Sequence, residues 1–147
     1  MNEEFEVVGR LHCVLRDSEG NVKQEWEQSN AIVAQGKTWV ASRMAGKNDM
    51  EAVISHMAIG TGSASATGLG TVPTGGRKAA TPSYPGTAGN ASITYTTTFG
   101  AGEGTGTITE AGLFNADNNT TLRFSTTMNV AKAAADTLTI NWTVSLP

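Results

Sequence analysis

Chemistry in this chain would have to come from few side chains: one cysteine, Cys13, and two histidines, His12 and His56, in 147 residues. A thiol beside an imidazole can act as nucleophile and base. His12 and Cys13, however, are consecutive in an alternating segment, which sends them to opposite faces of a strand, and Cys13 keeps the inward phase of Leu11 and Leu15. A zinc centre asks for three or four convergent His, Cys, Asp or Glu ligands, and this supply is poor unless several chains contribute. Paired carboxylates for glycoside chemistry meet the same shortage, since residues 52–147 contain only Glu103, Glu110, Asp117 and Asp136. Glu110, followed by Ala111-Gly112-Leu113-Phe114, is expected to be a buried or edge carboxylate bonded to backbone N–H groups of a neighbouring turn. No catalytic, metal-binding or cofactor-binding residue is assigned.

Two glycine motifs need weighing. Ala31-Ile32-Val33-Ala34-Gln35-Gly36-Lys37-Thr38 ends in the Gly-Lys-Thr of a phosphate-binding loop. Such a loop wraps phosphates with the N–H groups of a glycine-rich turn that follows a buried strand. Here Ala31 stands at the first glycine position and the preceding segment, Gln24 to Asn30, is polar, so a helix with a surface Lys37 fits better. Gly100-Ala101-Gly102-Glu103-Gly104-Thr105-Gly106 offers GxG spacings, but a dinucleotide fingerprint must open a helix. The next residues, Thr107-Ile108-Thr109, read as a strand, and the glycines are expected to form a mobile hairpin loop.

The elements that would carry these residues are mostly strands. Leu138, Ile140, Trp142, Val144 and Leu146 alternate with Thr137, Thr139, Asn141, Thr143 and Ser145, the pattern of a half-buried antiparallel strand. The same period runs through Ile93, Tyr95, Thr97 and Phe99, and through Leu122, Phe124, Thr126 and Met128. Further strands are expected at Phe5 to Arg16, Val22 to Glu27, Val53 to Ile59, Arg77 to Ser83 and Gly106 to Asn115, with a hairpin turn at Asp17 to Asn21. One helix is expected near residues 31–45, capped by Ser29 or Asn30 and stopped by Gly46. The fold class is mainly β: a single antiparallel β-sandwich, jelly-roll-like, spanning residues 1–147, with that one short helix. A long Gly/Pro-rich region covers about residues 60–90, and loops of such length are usually functional or ordered by partners. The expected core is Leu11, Cys13, Leu15, Trp39, Ile59, Ile93, Tyr95, Phe99, Leu113, Phe124, Leu138, Ile140 and Trp142.

Only 16% of the residues are charged, which suits a surface of Thr, Ser, Asn and Gly. The net charge of −3 lies in the first 51 residues, and the remainder is balanced. No basic cluster beyond Arg77-Lys78 could neutralise phosphates, so direct nucleic-acid binding is not expected. The acidic start, Met1-Asn2-Glu3-Glu4, is the opposite of a basic, then apolar, leader, and no apolar run nears the ~20 residues of a membrane span. Cytosolic synthesis and the absence of a membrane partner are therefore expected.

The order of several segments resembles a known group of proteins. "LRDSEGNV" and "SNAIVAQGKTWVASRMAG" are followed by "HMAIGTGSASAT", "YTTTFGAGEGTGTITEAGLFNADNNTTLRFSTTMNVAK" and "DTLTINWTVSLP". Together, from about Leu15 onward, they resemble small structural proteins of tailed bacteriophages, most strongly at Ala58-Ile59-Gly60-Thr61-Gly62 and Thr107 to Phe114. The resemblance implies a non-enzymatic virion component, made in the host cytoplasm and needing no cofactor. The first reading is a capsid decoration (cement) protein that binds the major capsid protein lattice and neighbouring copies of itself, as a homo-oligomer (a dimer or trimer), and stabilises the head. Alternatives are a tail, baseplate or fibre-attachment subunit, or a carbohydrate-binding module. Candidate partner-contact residues are Glu3 and Phe5 in the N-terminal arm, Thr61 in the glycine loop, and Arg77, Lys78 and Tyr84.

Overall fold

Period-two alternation recurs at both ends of the chain, and the computed structural model, which describes residues 7–32, 34–46 and 52–146, is correspondingly built mainly of strands. In chain order these are β1 (Val8–Arg16), β2 (Val22–Ile32), α1 (Ala34–Ala45), β3 (His56–Gly60), β4 (Arg77–Ala79), β5 (Thr81–Ser83), β6 (Ser92–Phe99), β7 (Gly106–Phe114), β8 (Leu122–Lys132) and β9 (Thr137–Ser145). The hydrogen-bonded order is β4-β3-β7-β8-β2-β1-β9-β6-β5. Every pairing is antiparallel.

This order folds into two sheets packed face to face, the expected β-sandwich. Leu11, Cys13, Leu15, Tyr95, Phe99, Leu138, Ile140 and Trp142 come from one sheet and Met57, Ile59, Ile108, Leu113, Phe124 and Val130 from the other, forming one buried cluster. Eleven of the thirteen expected core residues are buried, and Trp39 and Ile93 are half-buried against the cluster. In the first sheet β1 lies beside β9 with Val8 opposite Ser145, so the first and last strands end together.

Both sides of the sandwich are crossed by continuous chain. β2 pairs with β1 as far as Asn30, and its last residues, Ala31 and Ile32, pair with Ser125 and Phe124 of β8 in the other sheet. On the far side β4 and β5 belong to different sheets, yet only Ala80 separates them, and the Ala80 N–H donates to the Ser55 carbonyl at 2.9 Å. β4 and β5 end the hydrogen-bonded order, and most of β2, from Val22 to Asn30, pairs with β1 alone, so these are the strand edges open to another chain.

Four expectations need correction. Gln28 to Ile32 continue β2 instead of capping a helix, because pairing with β1 and then β8 overrides the capping propensity of Ser29 and Asn30. The helix accordingly begins at Ala34 and not near residue 31, and it ends near Gly46 as expected, with Gly46 at φ 62°. Arg77 to Ser83 is two short strands rather than one. Leu122 does not share a face with Phe124, because the β7–β8 register shifts between Leu113 and Phe114 and leaves Arg123 as an extra residue. Leu122 joins Ala58, Leu69 and Phe114 in a small second cluster, with Val72 packed against it.

Candidate functional site

The carboxylate singled out in the sequence is the anchor of the glycine loop. Glu110 pairs with Gly60 of β3 and Thr127 of β8, is 1% exposed, and its Oε1 accepts from the N–H groups of Gly62 at 3.1 Å, Gly70 at 2.8 Å and Thr71 at 3.1 Å. Oε2 also accepts from Gly70 at 3.0 Å. Backbone must come very close for this. A Cβ on Gly60 would run into the Glu110 carboxylate, and one on Gly70 would lie 2.6 Å from the Ser63 nitrogen, so the glycines are required by space. Asn119 completes the attachment: its Oδ1 accepts from Leu69 N at 3.1 Å and its Nδ2 donates to Leu69 O at 2.7 Å. The loop from Thr61 to Val72 is thus ordered by its own chain, whereas residues 81–91 are exposed throughout.

One end of the sandwich is fixed by charges. The loop Gly100 to Gly106, expected to be mobile, is tied down: Glu103 Oε2 accepts from Gly100 N and Lys78 Nζ, both at 2.7 Å, and Lys132 Nζ donates to Gly100 O at 2.8 Å. Gly102 N and Gly104 N donate to Ala134 O and Thr74 O. Asp136, 3% exposed, accepts from Lys23 Nζ at 2.7 Å and Ala133 N at 2.9 Å. The Lys23 bond, helped by Ala133 N–H, holds the Asp136 carboxyl below its ordinary 3.8, and the Lys78 bond, helped by Gly100 N–H, holds that of Glu103 below 4.5. Burial pulls the Lys132 ammonium down, against the opposing pull of Asp136 and Glu103.

A carboxyl whose folded pKa is depressed contributes stability that is complete above its unfolded pKa and is lost as pH falls through its folded pKa. Acid therefore loosens this end first. Lys23→Met removes the largest cause of the Asp136 shift, so wild-type and variant melting temperatures should differ near neutral pH and converge as pH falls below about 4. A gap that stays constant with pH would refute the assignment.

The opposite end is apolar. Trp39, Val40 and Met44 of α1 face Ile93 and Tyr95 of β6, Val144 of β9, Tyr84 and Leu146 across a cleft of about 340 Å³, with Phe124 on its floor. Trp39 meets the Phe124 ring edge-on, 6.4 Å between centroids, and its Nε1 donates to Ala52 O at 2.8 Å, which holds the helix over the cleft wall. The lip is strongly exposed: Met44 79%, Tyr84 66% and Leu146 42%. Val40 and Met44 are one helical turn apart, a spacing visible in the sequence, but their exposure follows from how α1 sits on β8.

The residues weighed for nucleophilic chemistry do not meet. His12 lies on the outer face with Nε2 2.8 Å from Glu25 Oε1, while Cys13 is fully buried in the core. Burial pushes the Cys13 thiol up to about 12. Thiol reagents should accordingly leave native Cys13 unmodified at neutral pH and label it fully after unfolding; rapid native labelling would place the side chain outside the core. His56 has Ser55 Oγ 2.8 Å from Nδ1 and Asp117 Oδ1 4.0 Å from Nε2. That order of groups resembles a hydrolytic relay, but 4.0 Å exceeds hydrogen-bond range and the Asp117 side chain is 74% exposed, so the ring is bonded by Ser55 and not oriented by a carboxylate. Among the described residues no three His, Cys, Asp or Glu side chains cluster as metal ligands, and no helix is long and apolar enough to cross a membrane.

The candidate contact residues are not brought together. Glu3 and Phe5 lie outside the described residues. Thr61 is exposed on the anchored loop. Arg77 stacks 4.3 Å over the Phe114 ring and donates to Asn119 Oδ1 at 2.9 Å, and Lys78 pairs with Glu103, so both serve the fold. Tyr84 alone stands at the cleft. Against protein-family models, curated proteins and solved structures, the chain finds no match.

Proposed function

We propose that the chain is a non-enzymatic structural subunit of a tailed-phage virion, a capsid decoration protein that attaches through its apolar end to the major capsid protein. The observation that carries this reading is the polarity of the sandwich. One end is closed by partly exposed ion pairs and short turns, while the other exposes Met44, Tyr84 and Leu146 around a cleft with an aromatic floor. Grouped apolar side chains of this kind mark interaction surfaces, and rigid aromatic anchors in pockets supply most of the energy of such contacts. The occupant would be an apolar segment of a capsid subunit, and many copies on one lattice would make modest single contacts sufficient.

Co-sedimentation of the purified protein with DNA-filled, tail-less heads and with isolated tails tests this. Saturable binding to heads is expected, at a copy number set by the capsomers, with Tyr84→Asp and Met44→Asp each weakening it at least about tenfold while melting stays unchanged. Binding to tails alone would move the protein to a baseplate or fibre-attachment role, and binding to neither would remove the virion reading.

A further inference from the structure

We propose that the groove between the anchored glycine loop and the end of β2 binds a neutral hexopyranose. The inference stands apart from the virion reading, since it uses a different surface. The groove, about 540 Å³, has Ser125 to Thr127 of β8 as its floor, Ser29 and Asn30 of β2 as one wall, and Gly62 to Ala64 with Thr109 as the other. That volume is within the range of small-molecule sites, roughly 300–1,000 Å³.

Its chemistry is uniform. No ionised side chain lines it, and its side-chain polar groups are hydroxyls and one amide. Two hydroxyls hold the walls: Thr109 Oγ1 donates to Gly62 O at 2.7 Å and Thr126 Oγ1 to Ser29 O at 2.9 Å. The hydroxyls of Ser29, Ser63, Ser125 and Thr127 make no hydrogen bond among the described residues. Each can donate or accept by rotating, which matches the paired donor and acceptor character of sugar hydroxyls. A charged ligand would surrender hydration without a counter-charge. The loop wall is preformed, because the Gly62 N–H is held by buried Glu110, so little ordering opposes binding. No aromatic ring lines the groove to stack on a sugar face, which limits its affinity to roughly the millimolar range.

The test is a backbone-amide chemical-shift titration of the full chain with glucose, galactose, mannose and N-acetylglucosamine, and with glucuronate as a charged counterpart. Saturable shifts centred on Ser63, Thr109, Ser125 and Thr127 are expected with at least one neutral sugar and weaker ones with glucuronate. The double variant Ser125→Ala, Thr127→Ala should weaken binding at least about tenfold with an unchanged melting temperature. Ser63→Trp, which fills the groove, should abolish it, and Tyr84→Asp in the apolar cleft should leave it intact. Absence of saturable groove shifts with all four neutral sugars would overturn the proposal. So would shifts that survive both groove variants, or that vanish with Tyr84→Asp.

Discussion

Replacing Glu110 with alanine is expected to lower the unfolding free energy by about 3–5 kcal/mol. Three N–H groups, from Gly62, Gly70 and Thr71, converge on one carboxylate that is 1% exposed. Each would lose a charge-assisted acceptor, and a buried orphan donor costs about 1–3 kcal/mol. The glycines that let the backbone approach would then enclose a void. Glu110→Gln retains an oxygen for the three donors but turns an NH2 group toward Gly70 N, so an intermediate loss is expected. Urea unfolding gives the magnitude, and hydrogen exchange gives the location: Gly62, Gly70 and Thr71 amides should lose protection before the core strands do. A loss below about 1 kcal/mol for the alanine variant would mean that the loop is held by Asn119 and Leu69 instead.

Trp142→Ala has an expected cost of about 3–5 kcal/mol. Trp142 is fully buried at the centre of β9, pairs with Leu11 and Tyr95 on its two sides, and its indole N–H donates to Asn30 Oδ1 at 2.8 Å. Truncation removes packing from both sheets and cuts the link to the point where β2 leaves the first sheet. Trp142→Phe keeps an aromatic ring but loses that hydrogen bond, so it should fall between wild type and alanine in denaturant midpoint. Near-wild-type melting of Trp142→Ala would contradict the strand phase on which the core assignment rests.

Strands such as β6 and β9 are legible in the sequence because one face of each is buried and period two is imposed by the pleat itself. Their inward residues, from Tyr95 and Phe99 to Leu138 and Trp142, follow from alternation alone. The tail of β2 is not legible, because Gln28 to Ile32 look like a helix start locally and become strand only through distant partners in β1 and β8. Leu122 escapes for a related reason: the extra residue Arg123 leaves no mark in the hydrophobic pattern yet reverses the facing of its neighbour. Of the candidate sites, the Glu110 anchor can be anticipated, as a lone carboxylate in a neutral strand needs donors. The apolar cleft cannot, since Trp39, Ile93 and Val144 carry ordinary core phases and only the seating of α1 decides which of them remain half open.

The side-by-side placement of β1 and β9 also determines how the molecule answers force. With Val8 opposite Ser145, a pull that separates these two strand ends loads the nearest ladder bonds first and peels the pair apart one rung at a time. A pull between Ser145 and the turn at Asp17 to Asn21 instead loads the β1–β9 ladder along its length, so many rungs must fail together. The same fold is therefore mechanically compliant at its apolar end and stiff along its long axis, and a tether's point of attachment would select which behaviour is felt.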